Sequence, residues 1–149
     1  MLVLLDFRII SEVESMKLQF DPTGKDMPHF IIPFTMPSLN EYLSACNRNP
    51  HVGAKMKREN MMLASNSIRR YLRRWHTDKK VILHYHIYEP NKKRDKDNCF
   101  AMVSKCVQDA LVSTKVLNND GWSCIENFTH DFFISKQARI EVWIEEIDD

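Results

Sequence analysis

The stretch VILHYHIYEPNKKRDKDN, residues 81–98, decides the fold. Its first part, residues 81–88, consists of β-branched, aromatic and leucine residues with two histidines, which is typical of a strand covered on both faces. Glu89 and Pro90 end this pattern, because proline lacks the amide hydrogen that a sheet ladder needs. Beyond Asn98, apolar residues recur at helical spacing as far as Leu111. The sequence therefore predicts a buried strand, a charged loop and a helix.

The elements before this unit are predicted from a cap and from periodicity. A short strand is expected over residues 30–32. In PSLNEYL, Ser38 and Glu41 have the spacing of a capping box, which predicts a short helix ending near Cys46. Residues 47–60 contain Pro50 and Gly53 and are predicted to be a loop that leads into a long helix ending near Trp75.

Two alternating stretches after the second main helix, residues 128–134 and 140–144, predict a β-hairpin. Together these elements predict an α+β fold, a small mixed β-sheet flanked by two main helices, over residues 27–149. Residues 1–26 are expected to form an N-terminal extension, in which we find no candidate chemistry.

Composition excludes several classes of protein. A chain of 149 residues with 44% hydrophobic residues is long enough for one ordinary core. No apolar run approaches the ~20 residues of a membrane helix, and Asp6 interrupts the opening MLVLL, so we expect a cytoplasmic protein. The cysteines show no CxxC pair and are expected to be reduced residues in or near the core: Cys46, Cys99, Cys106 and Cys124.

The net charge of +1 conceals a basic centre. Ten Lys or Arg residues and only two acidic residues lie between Arg48 and Lys80, whereas the last nine residues are strongly acidic. This distribution indicates a localised anionic partner such as nucleic acid, and the alternative is a solvated helix face. The candidate DNA-binding residues here are Lys55, Lys57, Arg58, Arg69, Arg70, Arg73 and Arg74.

The segment NKKRDKDN, residues 91–98, carries the candidate chemistry. Two aspartates two residues apart point the same way in extended backbone, with Cα atoms ~6.5 Å apart, so Asp95 and Asp97 could share one hard cation such as Mg²⁺. The flanking cations would attract a phosphate backbone and complete the candidate DNA-binding set: Lys92, Lys93, Arg94 and Lys96. The alternatives are that Asp97 caps the helix and that Asp95 pairs with a lysine.

Two histidines of the predicted strand, His84 and His86, share one face. They could form a pair of metal ligands, but no third soft ligand lies nearby, and a place in the core or an interface is favoured.

Several separated motifs resemble one family, the RusA-type Holliday junction resolvases, in particular their phage-borne Gram-positive branch. RDKDN at 94–98 resembles the family's RDxDN signature, SKCVQDAL at 104–111 its lysine-bearing helix, and LNNDGW at 117–122 its second acidic motif. PSLNEYL and NPHVGAKMKREN are also similar to this branch, so the likeness extends from about residue 28 to 143.

The resemblance implies a magnesium- or manganese-dependent endonuclease that resolves four-way DNA junctions as a homodimer, by two symmetric nicks that leave 5′-phosphate ends. It implies Asp95, Asp97 and Asp120 as metal-binding residues and Lys105 as the essential lysine. Two departures stand out. Lys105 lies four residues further from RDKDN than in the shortest family members, and Asn119 replaces an aspartate of some relatives.

Competing interpretations remain open. The runner-up is a non-catalytic protein that binds branched DNA, and the weakest is a zinc-binding regulatory module, because the Cys and His spacing fits no tetrahedral site. A helix over residues 98–112 would also carry the chain ~22 Å away from Asp97 before it reaches Asp120. We therefore expect Asp120 of one subunit to complete the site of the other.

Overall fold

The computed structural model describes residues 27–148, and these residues form three helices and a four-stranded mixed sheet. The strands are β1 (His29–Ile32), β2 (Lys80–Glu89), β3 (Ile125–Ile134) and β4 (Arg139–Ile147), and the helices are α1 (Leu39–Arg48), α2 (Pro50–Leu72) and α3 (Lys96–Ser113). The α+β fold predicted from the sequence is confirmed. The predicted N-terminal extension, residues 1–26, lies outside the described residues.

The predicted hairpin between the last two strands is wrong. The strand order is β1-β4-β2-β3, so β2 lies between β3 and β4. β3 runs parallel to β2, with Tyr85 opposite His130, and β4 runs antiparallel to it, with Tyr85 opposite Val142. The short link after β3 crosses the end of β2, where the Ser135 N–H donates to the Glu89 carbonyl at 2.9 Å. Alternation identifies strands but does not identify their partners.

The described helices pack on one face of the sheet. Leu83, Tyr85 and Ile87 of β2 point into a core that also contains Ile68 of α2 and Val107 of α3. None of the helices between residues 27 and 148 is long and apolar enough to cross a membrane.

The opposite face of β2 carries the two histidines, and both are buried. His84 hydrogen bonds with Thr129 Oγ1 at 2.7 Å and with Glu145 Oε2 at 2.8 Å. His86 lies 4.8 Å from Trp143, measured between ring centres. Both histidines are therefore buried, in agreement with the prediction of a core or interface position, although they lie on the sheet face opposite the main core.

All four cysteines are free thiols, three of them buried and Cys46 partly buried, as predicted.

Helix α1 begins as predicted, whereas α2 begins ten residues before the end of the predicted loop. Ser38 caps α1, and its Oγ accepts from the Glu41 N–H at 3.2 Å. Asn49 caps α2, and its Oδ1 accepts from the His51 N–H at 2.9 Å. Because Pro50 is the first residue of α2, where no amide hydrogen is required, the proline begins the helix and does not prevent it.

Candidate active site

A buried carboxylate, Glu89, anchors the loop that carries Asp95 and Asp97. Arg94 donates to Glu89 Oε1 from Nη2 at 2.6 Å and from Nε at 3.1 Å. Arg94 Nη1 also donates to the Met36 carbonyl at 2.7 Å, which ties the loop to the segment before α1. Arg94 was expected to bind DNA, but its donors are engaged inside the protein.

Cys99 completes this anchor from the first turns of α3. Its Sγ donates to Glu89 Oε1 at 3.0 Å. Burial and this hydrogen bond raise the pKa of the Cys99 thiol to about 12, so the thiol remains neutral and acts as a donor. Sequence reasoning missed the role of Glu89. The available signal was a carboxylate at the last position of a strand that is otherwise largely buried and carries no other acidic residue.

Asp95 and Asp97 are both exposed at the N-terminal end of α3. Asp95 is the N-cap residue, with φ −71° and ψ 140°, and its side chain makes no capping hydrogen bond. Asp97 lies in the first turn, where its Oδ1 accepts from the Asn98 N–H at 2.9 Å. Because α3 begins at Lys96, the expected extended backbone through both aspartates is wrong, and so is the alternative in which Asp97 is the N-cap.

The cations around the two aspartates leave them unpaired. Lys92, Lys93 and Lys96 are exposed, and among residues 27–148 neither carboxylate forms an ion pair with a lysine or arginine. Lys96 Nζ lies 5.9 Å from the centre of the Phe132 ring. The alternative in which Asp95 simply pairs with a lysine is therefore not found. Two exposed carboxylates and a cluster of exposed lysines lie together at one helix end.

Lys105 lies further along α3. Its Nζ is 3.2 Å from Asp109 Oδ1, and its side chain is 59% exposed. Lys57 of α2 contacts the other oxygen of Asp109 at 3.7 Å. Eight residues separate Lys105 from Asp97, which places it ~12 Å along the helix axis. Within one chain, Lys105 therefore does not adjoin the two aspartates.

Asp120 lies in the loop between α3 and β3, at the other end of β2. The Val81 N–H at the start of β2 donates to the Cys124 carbonyl at 3.0 Å, so this loop borders the start of the strand. Asp95 follows the end of β2, and a strand of 10 residues spans roughly 30 Å. Within residues 27–148, no three or more His, Cys, Asp or Glu side chains are grouped to hold a metal ion. A single chain therefore does not bring the three aspartates together.

A basic cleft of about 850 Å³ lies near Asp120, between the C-terminal ends of α2 and α3. Three of the candidate arginines line it: Arg69, Arg73 and Arg74. The lining also contains three residues that sequence reasoning missed: His76, Lys115 and Asn118. Asn118 is two residues from Asp120, so the cleft and the aspartate share one end of the molecule. The missed residues come from two loops, and the signal for His76 was a polar HTD triplet directly after the predicted helix, which in the structure ends at Leu72.

His76 adds a titratable charge to this cleft. It hydrogen bonds with Asp78 Oδ1 at 3.0 Å and with the Lys115 carbonyl at 2.7 Å. The bond to Asp78 is the larger cause, and together the two bonds raise the pKa of His76 above its ordinary value. Asp78 also accepts from Asn118 Nδ2 at 2.8 Å; this bond and the bond to His76 lower the pKa of the Asp78 carboxyl.

The other candidate DNA-binding residues lie on α2. Arg58 and Arg70 are exposed, and the Lys55 side chain is 70% exposed and 3.8 Å from Glu59. The 23 residues of α2 span ~35 Å, so the KMKR segment near its start and the arginines near its end are far apart.

No protein-family model matches this chain, and no match is found among curated proteins.

Proposed function

We propose that this protein is a magnesium- or manganese-dependent DNA endonuclease that resolves four-way junctions as a homodimer. The observation that carries the proposal is the pair of exposed carboxylates, Asp95 and Asp97, which pair with no cation of residues 27–148 although lysines surround them at the start of α3. Carboxylates left unpaired beside several cations suit a ligand that is itself a cation and that brings phosphate with it.

The donor set fits a hard divalent cation. Mg²⁺ binds through one or two carboxylates, retains several waters and takes further ligands from phosphate, and Asp95 and Asp97 would provide those carboxylates. When bound, the ion supplies an activated water and charge stabilisation for phosphodiester hydrolysis. The α3 N-terminus and Lys92, Lys93 and Lys96 orient the scissile phosphate, and Lys105 contacts a phosphate further along the strand.

The third aspartate, in this proposal, comes from the partner subunit. Because Asp120 lies roughly 30 Å from Asp95 along β2 in one chain, a complete set of three requires two chains. Two sites related by a two-fold axis also suit a substrate that needs two symmetric nicks.

The basic cleft would hold DNA outside the cleavage point. Arg69, Arg73 and Arg74 line the cleft with exposed guanidinium groups that suit phosphate oxygens, and such phosphate contacts read no base. The proposal therefore includes structure-dependent binding with little sequence preference in affinity.

The decisive experiment compares a synthetic four-way junction with a matched linear duplex, each with Mg²⁺, with Mn²⁺ and without metal. We expect paired nicks with 5′-phosphate ends in the junction alone and only with metal. The Asp95→Asn, Asp97→Asn double variant serves as the control for a contaminating nuclease.

Two outcomes would overturn the proposal in different ways. Tight junction binding without nicking under any metal would support the runner-up, a non-catalytic protein that binds branched DNA. Equal cleavage of the linear duplex would leave a nuclease without junction specificity.

A further inference from the structure

A cavity of about 350 Å³, the β3 cavity, lies between the C-terminal end of β3 and the loop that carries the two aspartates. Arg94 and Lys96, the residues on either side of Asp95, both line it, so the cavity adjoins the candidate active site. This volume lies at the lower end of the range for pockets that hold a small ligand. The β3 cavity is therefore suited in size to a single small ligand.

The two walls of the β3 cavity differ in chemistry. One wall is apolar and consists of Phe132, Phe133 and Ile134. Phe133 is 39% exposed and Ile134 54%, so a ligand can reach both side chains. The other wall carries Lys92 and Lys96, which are exposed, and Lys96 Nζ lies 5.9 Å from the centre of the Phe132 ring. A ligand that suits both walls has a flat apolar part and a negatively charged part.

The buried end of the β3 cavity determines which part of such a ligand points inward. Glu89 and Cys99 line this end and are both buried. Hydrogen bonds from Arg94 and Cys99 hold the Glu89 carboxylate in place. A phosphate would be repelled by Glu89 at the buried end and attracted by the lysines at the exposed end. The negatively charged part of the ligand therefore faces outward, and the flat part faces inward.

We propose that the β3 cavity binds one nucleotide unit, with its base against Phe133 and its phosphate at Lys92 and Lys96. The stacking of bases on aromatic side chains tolerates any base, because every base has a π face. The lysines attract phosphate whatever base it carries. The cavity therefore recognises a nucleotide that is accessible, without reading its identity.

The source of this nucleotide is a further step, which rests on the proposed function. A base in a duplex reaches a pocket only after it leaves the stack, and the energetic cost is lowest where regular pairing and stacking are already disturbed. The nucleotides that border the branch point of a four-way junction lie where the regular duplex is interrupted. They enter the β3 cavity more readily than the nucleotides of a linear duplex, and this entry places the branch point beside Asp95 and Asp97.

The first experiment titrates the full chain, without metal, with dAMP and follows binding by ligand-detected NMR. Phe133→Leu should weaken dAMP binding by about fivefold or more, because it removes the stacking surface. Phe128→Leu is the matched control: Phe128 is 42% exposed on the same strand but does not line the cavity, and this change should leave binding unaltered. Deoxyribose 5-phosphate, which lacks the base, should bind more weakly than dAMP. Circular dichroism establishes that each variant is folded.

A second variant tests the cavity without altering an aromatic ring. Ile134→Glu adds a negative charge to the lining and should weaken dAMP binding, because the new carboxylate repels the phosphate. Met62→Glu adds the same charge at a 60% exposed position on α2 and should leave dAMP binding unchanged.

The DNA experiment uses four-way junctions with 2-aminopurine at each nucleotide that borders the branch point, again without metal so that no strand is cut. The emission of 2-aminopurine rises when the base leaves the stack. We expect a rise at one of these positions when the wild-type chain binds, a smaller rise with Phe133→Leu, and none in a matched linear duplex.

Equal binding of dAMP to the wild type and to Phe133→Leu overturns the inference, and so does equal binding of dAMP and deoxyribose 5-phosphate. Binding of dAMP that depends on Phe133, with unchanged 2-aminopurine emission, assigns the cavity to a free nucleotide and overturns its part in DNA recognition. A Phe133-dependent dAMP site in a chain that does not cut junctions retains the cavity and overturns the proposed function alone.

Discussion

Asp97 lies in the first turn of α3 with an exposed carboxylate, and its charge is the property that the proposed chemistry requires. Asp97→Asn keeps the size and the hydrogen-bond acceptor but removes the negative charge. We expect cleavage of the four-way junction to be abolished while binding, measured by gel shift, survives or strengthens. Asp148→Asn, an exposed change at another surface, should cut normally. If Asp97→Asn cuts the junction at the wild-type rate, Asp97 is not part of the catalytic site.

His76 gives the basic cleft a pH dependence. The pKa of His76 is raised above its ordinary value of 6.5. The ring is therefore charged below pH 6.5, and it loses its charge only as the pH rises through the raised pKa. At constant ionic strength, junction affinity should fall as the pH rises above about 6.5. His76→Gln should reduce this decline, and His51→Gln should not. An identical decline in both variants would mean that His76 does not face the bound phosphates.

The stability of the folded protein should change with pH in the same direction as the junction affinity, because both decrease as His76 loses its charge. A raised pKa in the folded protein means that the hydrogen bonds of His76 contribute stability that is complete below the ordinary pKa and is lost above the raised one.

At the scale of single residues, the sequence predicted that the aspartate pair lies between a strand and a helix, but it predicted the wrong backbone conformation and did not indicate the groups that hold the loop. Asp95 and Asp97 follow from local spacing, whereas the contacts from Arg94 to Glu89 and Met36 depend on how distant segments meet. The same is true of His76 and Lys115, which come together only when α2 and α3 end side by side.

The arginine-rich end of α2 is the element that we expect to dominate DNA affinity. Changing Arg69, Arg70, Arg73 and Arg74 together to Ala should weaken junction binding regardless of sequence. It should also flatten the dependence of affinity on salt, because fewer counterions are released. Lys79→Ala, outside the cleft, should leave the salt dependence nearly unchanged. If the salt dependence of affinity is unaltered in the fourfold variant, these arginines form a solvated helix face that does not contact DNA.

The contact between α1 and α2 depends on Gly53. A Cβ atom at this position would lie 3.0 Å from the Cys46 Cα and would overlap Cys46 Sγ. Although alanine favours a helix, the overlap should outweigh that gain, and we expect Gly53→Ala to lower the free energy of unfolding by ~1–3 kcal/mol in urea titrations. Asn66→Ala, an exposed change on the same helix, should not lower it. Wild-type stability in Gly53→Ala would mean that the two helices separate at little cost.

Elements with a local signal could be predicted, and elements defined by long-range pairing could not. The Ser38 cap and the apolar strand β2 have signals within a few residues. The parallel pairing of β3 with β2 has none, because it joins residues more than 40 positions apart. Pro50 misled the prediction because proline interrupts a helix interior but is favoured at its first turn.

At the scale of the assembly, the proposed composite sites predict complementation between two inactive chains. In a composite arrangement, each site takes Asp97 from one subunit and Asp120 from the other. A heterodimer of an Asp97→Asn chain and an Asp120→Asn chain therefore has both substitutions in one site and none in the other. We expect mixed subunits to regain nicking of one strand but not paired resolution of the junction. Subunit exchange must be verified, for example with differently tagged chains. A verified heterodimer that stays inert would mean that each site is built within one chain.

The placement of β4 between β1 and β2 has a consequence for how the protein is made. His29 near the start of the described residues is paired with Trp143, so β1 has no neighbouring strand in the described sheet until β4 has been synthesised. A nascent chain on the ribosome can form α2 and α3, but it cannot place either β1 or β2 against β4. The sheet therefore closes only after translation has passed β4, and a chain stalled or cleaved before that point exposes two unsatisfied strands that favour aggregation.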